Sequence, residues 1–133
     1  VIGNGAKTAG NCVIEDCVIL GSGVIMKHGC RVGTWAFIKD GCRANKDVPP
    51  YIVAAHNPIS YYGINATILR KEDALNENTI DDIAKAYRQI YQCSTSLENA
   101  LIRIKETISI GPEIQKIIDF LENSTKGIIG VTM

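Results

Sequence analysis

Apolar residues recur at every sixth position through the first third of the chain. One series is apolar apart from its second member, and it consists of Ile2, Thr8, Ile14, Leu20, Met26, Val32, Ile38 and Ala44. A second series contains only small residues, and it consists of Ala6, Cys12, Val18, Val24, Cys30, Ala36, Cys42 and Val48. Neither the 3.6-residue period of a helix nor the alternation of a strand produces two such series at once.

A six-residue period predicts a parallel β-helix, in which three short strands and three turns close one coil of about eighteen residues. We expect the first series to point into the coil and the small residues to lie near its corners. Gly5, Gly23 and Gly41 recur at corresponding positions, as expected if these turns need a positive φ, which glycine adopts readily. A small sandwich of short strands is the alternative, but it does not explain a strict period of six.

The repeat is expected to end at Lys46–Pro50, because its two prolines cannot donate hydrogen bonds to a sheet. The chain downstream loses the six-residue period and takes on helical spacing. We therefore divide it into β-helix coils at residues 1–50, an extended connector at 51–72 and an α-helical C-terminal domain at 73–133.

Several residues of the C-terminal domain are typical of the ends of helices. Thr79 is the predicted start of one helix, with Asp82 completing a capping box, and Thr95 with Glu98 forms a second such pair. A proline suits the first turn of a helix, so Pro112 is expected to open the last one. A glycine that follows a helix is a candidate C-terminal cap, and we expect Gly127 in that role.

Charge and cysteine content narrow the class of protein. Fourteen basic and fourteen acidic residues balance, so nothing in the charge indicates nucleic acid or an anionic membrane as a partner. No apolar run approaches the roughly 18 to 20 residues that cross a bilayer, and no signal peptide is recognisable. The five cysteines show no zinc-like spacing, so we expect reduced, buried thiols in a cytoplasmic protein.

Four features together carry a resemblance to a known family. The hexapeptide coils, DVPPY at residues 47–51, the Gly63-Ile64-Asn65 motif and a helical tail ending in STKGIIG resemble the C-terminal part of the acyl-carrier-protein–UDP-N-acetylglucosamine O-acyltransferase family. The resemblance implies a left-handed parallel β-helix followed by a C-terminal α-helical domain, assembled as a homotrimer. It also implies transfer of a (3-hydroxy)acyl chain from acyl carrier protein to the 3-hydroxyl of UDP-N-acetylglucosamine, the first step of lipid A synthesis, without metal or coenzyme.

The resemblance assigns roles to three residues of the coils. In the family a histidine acts as general base and a glycine N–H stabilises the oxyanion, and Gly10 matches that glycine within the turn Ala9-Gly10-Asn11. Asn11 replaces a sugar-binding histidine of the family, and an amide still donates and accepts hydrogen bonds. His28 lies one coil after Gly10 in the repeat and takes the place of a substrate contact; a solvated turn residue is the alternative.

The resemblance also assigns substrate contacts beyond the coils. Asn65 matches a family asparagine near the acyl and sugar groups, and a turn or capping asparagine is the alternative. Arg70 and Lys71 correspond to a basic pair that binds the nucleotide phosphates. Glu72 and Asp73 follow them here, where the family carries glycine.

The register of the repeat places the family's catalytic histidine before Val1. We therefore expect the chain to correspond to a C-terminal part of the enzyme that lacks its general base. A non-catalytic trimerising or nucleotide-sugar-binding protein is the alternative, whereas the connector and helical tail argue against an acetyl-CoA-dependent hexapeptide transferase. Arg31, Lys39 and Arg43 either contact the acidic carrier protein or belong to a solvated face.

Overall fold

Short parallel strands build the first half of the molecule. The computed structural model describes residues 1–93 and 95–131. Its register pairs Thr8 with Met26 and Met26 with Ala44, so each strand lies beside the strand eighteen residues later. This confirms the parallel coils that the six-residue period predicts. The strands of the coils are β1 (Lys7–Thr8), β2 (Val13–Ile14), β3 (Ile19–Leu20), β4 (Ile25–Met26), β5 (Arg31–Val32), β6 (Phe37–Ile38) and β7 (Arg43–Ala44).

Both apolar series line the interior of the coils. From Val18 onward every member is buried, including those of the small series, which we had expected near the corners. Burying one such aliphatic side chain contributes about 1.5 to 3 kcal/mol. Members of the first coil are less covered, and Ile2 keeps 63% of its surface exposed.

Each corner of the coils contains one residue in the left-handed region. Positive φ angles recur every six residues, at Gly5, Asn11, Cys17, Gly23, Gly29, Trp35 and Gly41. The positive φ predicted for three of these glycines is therefore confirmed. Asn11, Cys17 and Trp35 adopt the same conformation without glycine, which shows that the geometry of the coil, and not the residue type, imposes it.

The coil sheet continues past the two prolines, so the expectation that it ends at Lys46–Pro50 is wrong. The N–H groups of Val48 and Tyr51, on either side of the prolines, donate to the carbonyls of Arg31 and Thr34. Because the prolines themselves lie between these bonds, the missing donors cost the sheet nothing. The chain then enters β8 (Ile52–Ala55), which pairs in parallel with β6.

The predicted extended connector contains a hairpin and a helix. Strand β9 (Ser60–Ile64) runs antiparallel to β8, and β10 (Gly130–Val131) adds to β9 in parallel.

Gly127 has a φ of +79°, but the last helix ends at Glu122, so the glycine is not its cap. Instead it begins the turn that leads the chain into β10.

The helices are α1 (Ala66–Lys71), α2 (Glu77–Tyr91), α3 (Leu97–Thr107) and α4 (Pro112–Glu122). Pro112 is the first residue of α4, as predicted. Helix α2 begins two residues before the predicted Thr79, because the Asn76 side chain accepts the N–H of Thr79 at 2.8 Å and caps the helix.

The predicted cap of α3 is wrong by one residue. Ser96, not Thr95, accepts the N–H of Asn99 at 3.1 Å and begins the helix. Serine and threonine both act as N-caps, so the sequence did not distinguish between the neighbouring candidates.

The chain forms two compact units. One contains Val1–Asn65 and the C-terminal segment from Phe120 onward, and the other contains Ala66–Asp119. These bounds differ from the predicted segments, since the hairpin and the C-terminal segment belong to the same unit as the coils.

The cysteines are free but not uniformly buried. Cys30 and Cys42 are buried, Cys12 and Cys93 are half-buried, and Cys17 is exposed at a corner of the coil. The expectation of buried thiols is therefore wrong for Cys17, whose positive φ of 62° places it in a turn.

Candidate functional site

The turn after β1 presents an unpaired backbone donor. Gly10 is exposed there, and its carbonyl accepts the N–H of Gly29 at 3.0 Å. Its own N–H donates to no group within residues 1–93 and 95–131. The neighbouring Ala9 N–H donates to the Met26 carbonyl at 2.9 Å, so the sheet holds this turn in place. A fixed, exposed N–H is what the stabilisation of an oxyanion requires.

His28 lies over Gly10 on the next coil. A Cβ placed on Gly10 would lie 3.4 Å from Nδ1 and 3.8 Å from Cε1 of His28. The one-coil relation predicted from the register is therefore confirmed, and the imidazole is exposed at the same corner as the Gly10 N–H. A ligand that contacts one of these two groups has the other within reach.

Asn11 has a conformational reason to be at this corner. Its φ of 60° lies in the left-handed region, which asparagine adopts more readily than most residues. Gly29, one coil later, has a φ of +77°. The side chain of Asn11 is exposed beside Gly10, so the turn presents an amide next to the unpaired N–H.

Asn65 is buried, with 3% of its surface exposed. Its side-chain nitrogen donates to the Trp35 carbonyl at 2.8 Å, and its backbone N–H donates to the Tyr51 carbonyl at 2.8 Å. Both acceptors belong to residues with positive φ, so Asn65 stabilises two strained turns of its own unit. These contacts favour the structural alternative that the sequence left open, while the amide oxygen stays available for another role.

Arg70 and Lys71 end the short helix α1 in the second compact unit. Arg70 forms two hydrogen bonds to the Glu77 carboxylate, from Nε at 2.8 Å and from a terminal nitrogen at 3.2 Å. These bonds raise the pKa of the exposed Arg70 guanidinium. Lys71 has no ion pair within the described part of the chain, so the basic pair consists of one engaged and one open cation.

The structure therefore brings together three of the predicted site residues. Gly10, Asn11 and His28 share one corner of the coils, whereas Asn65 is hydrogen-bonded to two other turns of the same unit. Among the described residues, no group of three or more His, Cys, Asp and Glu side chains could hold a metal ion. No helix of the described residues is long and apolar enough to cross a membrane.

Sequence reasoning missed the buried acid Asp47, which keeps 1% of its surface exposed. Its Oδ1 accepts the backbone N–H of Arg31 at 2.9 Å, and its Oδ2 accepts the Ser124 hydroxyl at 2.6 Å. The backbone of Asp47 also exchanges hydrogen bonds with Gly127 and Ile129. An acid directly before a buried Val48 was the available signal, because a carboxylate enters a core only with partners.

Comparison with known proteins gives consistent matches. The family model described as UDP-N-acetylglucosamine O-acyltransferase, domain 2, matches residues 47–129. The acyl-[acyl-carrier-protein]–UDP-N-acetylglucosamine O-acyltransferase of Aliivibrio salmonicida is 34% identical over 129 residues, which cover 97% of this chain and 49% of the relative. The chain spans about half the length of the curated relatives it matches.

Solved structures agree with the sequence matches. The UDP-N-acetylglucosamine acyltransferase from Bacteroides fragilis superposes with a TM-score of 0.94 at 42% identity, covering 96% of this chain and 50% of that chain. LpxA from Acinetobacter baumannii superposes with a TM-score of 0.90 at 33% identity, again covering 96% and 50%.

Proposed function

The chain belongs to the UDP-N-acetylglucosamine O-acyltransferase family, and from this premise we propose that it serves the transfer of a (3-hydroxy)acyl chain from acyl carrier protein to the 3-hydroxyl of UDP-N-acetylglucosamine. This transfer is the first step of lipid A synthesis. The observation that carries the proposal is the corner at which Gly10, whose N–H has no acceptor among the described residues, lies beside the His28 ring. No residue of this chain is proposed as the general base.

Gly10 supplies an oxyanion donor in this proposal. When the sugar hydroxyl attacks the thioester carbonyl, the carbonyl oxygen becomes negative, and a preorganised N–H stabilises it without rearrangement. His28 and Asn11 bind the sugar hydroxyls or its amide from the same corner, since both side chains donate and accept hydrogen bonds. A rigid coil keeps these groups in register with the two substrates.

Asn65 and the basic pair are proposed as contacts to the remainder of the nucleotide sugar. The oxygen of the Asn65 amide is the group offered to substrate, because its nitrogen donates to Trp35. Lys71 pairs with a phosphate directly. Arg70 does so only after exchanging Glu77 for the phosphate, and the exposure of this ion pair makes the exchange inexpensive.

The finer features of the fold and assembly belong to the same proposal. We infer a left-handed coil and a homotrimer from the family, and a cytoplasmic location stays a prediction from the free cysteines. Light scattering at micromolar concentration tests the trimer, and a monomer contradicts it.

Product mass spectrometry tests the activity. The protein as encoded in its gene is incubated with UDP-N-acetylglucosamine and acyl carrier proteins that bear several chain lengths. We expect a nucleotide sugar heavier by one acyl group. His28→Ala should lower kcat/KM about three- to tenfold, the effect of one lost hydrogen bond.

His56→Ala is the matched control, because His56 is the other histidine of the chain and is also exposed. Equal losses in the two variants would remove His28 from the site. Binding of UDP-N-acetylglucosamine without any acylated product would instead favour the non-catalytic, nucleotide-sugar-binding alternative.

A further inference from the structure

A groove of about 510 Å³ opens beside the sheet of β1, β4 and β7. It lies wholly within the unit that contains the coils. The groove, called the cationic groove below, is lined by Lys27, Arg43, Asn45, Asn57, Pro58 and Ile59. No acidic residue of the described chain belongs to this lining.

The sheet holds three of the lining residues in a fixed arrangement. Because Met26 pairs with Ala44, Lys27 and Asn45 are neighbours on adjacent coils, about 4.8 Å apart. The N–H of Lys27 donates to the Ala44 carbonyl at 2.9 Å. Arg43 comes two residues before Asn45 and points to the same outer side, since side chains alternate along a strand.

The polar side chains of the cationic groove have no partners among the residues that the structure describes. Within the described ranges, Lys27, Arg43, Asn45 and Asn57 make no side-chain hydrogen bond or ion pair. Two further cations of this unit lie against aromatic rings instead: Arg31 lies 4.5 Å from the centre of the Phe120 ring, and Lys39 lies 4.4 Å from that of Tyr62. Two cations that face one groove without an acid repel each other, and a bound anion relieves that repulsion.

The chemistry of the four side chains selects the anion. An arginine presents paired N–H donors that match two phosphate oxygens, and a lysine adds a compact charge. The two amides add neutral donors for the remaining oxygens. We propose that the cationic groove binds a phosphate group carried by an organic ligand, with Lys27 and Arg43 pairing with its charge and Asn45 and Asn57 donating to its oxygens.

The position of the cationic groove indicates that its ligand is one of the substrates of the proposed reaction. Lys27 directly precedes His28, so the groove adjoins the corner of Gly10 and His28. The identity of the ligand rests on the proposed function, whereas phosphate binding as such does not. The reaction offers two phosphate groups: the diphosphate of the nucleotide sugar and the phosphodiester of the phosphopantetheine arm on the carrier protein.

Calorimetric titration with inorganic pyrophosphate tests the site without any turnover. We expect Lys27→Gln and Arg43→Gln each to weaken binding about tenfold, the effect of one lost charged hydrogen bond. Lys7→Gln is the control, because Lys7 is an exposed cation on β1 of the same sheet but does not line the groove. The affinity of Lys7→Gln for pyrophosphate should change less than about twofold. Added salt should weaken pyrophosphate binding to the native protein.

Loss of the far-ultraviolet circular dichroism spectrum identifies a variant that fails to fold. Such a variant is replaced by Asn57→Ala, which removes a donor of the groove outside the sheet. The proposal is wrong if the native protein does not bind pyrophosphate. It is also wrong if the control Lys7→Gln weakens binding as much as Lys27→Gln and Arg43→Gln do.

Titrations with UDP-N-acetylglucosamine and with 4′-phosphopantetheine then distinguish the two sources. The ligand whose affinity falls in Arg43→Gln is the one that occupies the groove. A further outcome is that pyrophosphate binding depends on the two cations while the binding of neither organic ligand depends on them. In that case the groove takes free phosphate, and the organic-ligand part of the proposal is wrong. An inactive protein that still binds pyrophosphate through Lys27 and Arg43 would count against the proposed function alone.

Discussion

The imidazole of His28 lies over the backbone of Gly10, with Nδ1 3.4 Å from the point where a Gly10 Cβ would be. That separation is an ordinary van der Waals contact, and Gly10 is not in the left-handed region. The absence of a side chain at position 10 is therefore not required for folding, and it leaves space beside the imidazole for a ligand.

Gly10→Ala should fold normally and still impair the site. We expect the melting temperature to change by less than about 2 °C, as for a surface substitution of about 0.5 kcal/mol. The affinity for the proposed substrate UDP-N-acetylglucosamine should fall, because the new methyl group occupies space beside the imidazole. Thermal unfolding and calorimetric titration of one preparation check both halves of this prediction.

Gly33→Ala is the contrasting variant. A Cβ there would meet backbone atoms of Pro50, which cannot move aside as a flexible side chain can. We expect overpacking to cost about 1 to 3 kcal/mol or more. A Gly33→Ala protein as stable as Gly10→Ala would contradict the close approach of these two turns.

Removing the Asp47 carboxylate should destabilise the coil unit. Asp47→Ala leaves the Arg31 N–H and the Ser124 hydroxyl without their acceptor, and we expect a loss of about 2 to 3 kcal/mol. Ser124→Ala, which removes one bond, should cost about 1 to 2 kcal/mol. Urea unfolding measures both, and exposed Asp16→Ala should stay within about 0.5 kcal/mol of the native protein.

The cysteines should react with iodoacetamide in the order of their exposure. Cys17 is exposed and should be alkylated first, whereas burial raises the pKa of the Cys30 and Cys42 thiols above that of an ordinary cysteine. A raised pKa leaves less of the reactive thiolate at any given pH, so these two should react only after urea unfolds the protein. Peptide mass spectrometry at pH 8 gives the order, and early labelling of Cys30 would contradict its burial.

Helix α2 offers a direct choice between two caps. Asn76→Ala should cost about 1 kcal/mol, because the Thr79 N–H loses its acceptor. Thr79→Ala should change stability by less than about 0.5 kcal/mol, since the backbone of Thr79 makes the bond. Thermal unfolding compares the two variants, and the reverse order of their effects would place the cap at Thr79.

The period of the chain predicts the parallel coils because a repeated environment selects the same kind of residue each time. Leu20, Met26 and Val32 show this directly, since each fills the same layer of the interior. Local signals predict helix ends only to within a residue or two, as Asn76 and Ser96 show, because neighbouring polar residues compete for the same N–H groups.

Neither the repeat nor the local helix signals predict which distant parts of the chain contact each other. Ser124 donates to Asp47 across 77 residues, and neither residue repeats. At the candidate site, the spacing of eighteen residues predicts the stacking of His28 on Gly10. It does not predict that Asn65 donates to Trp35 or that Arg70 pairs with Glu77, because those bonds depend on side-chain directions outside the repeat.

The bonds between Asp47 and the segment from Ser124 to Ile129 also bear on how the chain avoids association while it is being made. Asp47 leaves the ribosome long before Ser124, so in a nascent chain the backbone groups of Asp47 at the end of the coils are unpaired. An open row of strand N–H and carbonyl groups pairs readily with other chains. The C-terminal segment therefore covers these groups only when synthesis is nearly complete. A chain that lacks the segment should form aggregates during expression.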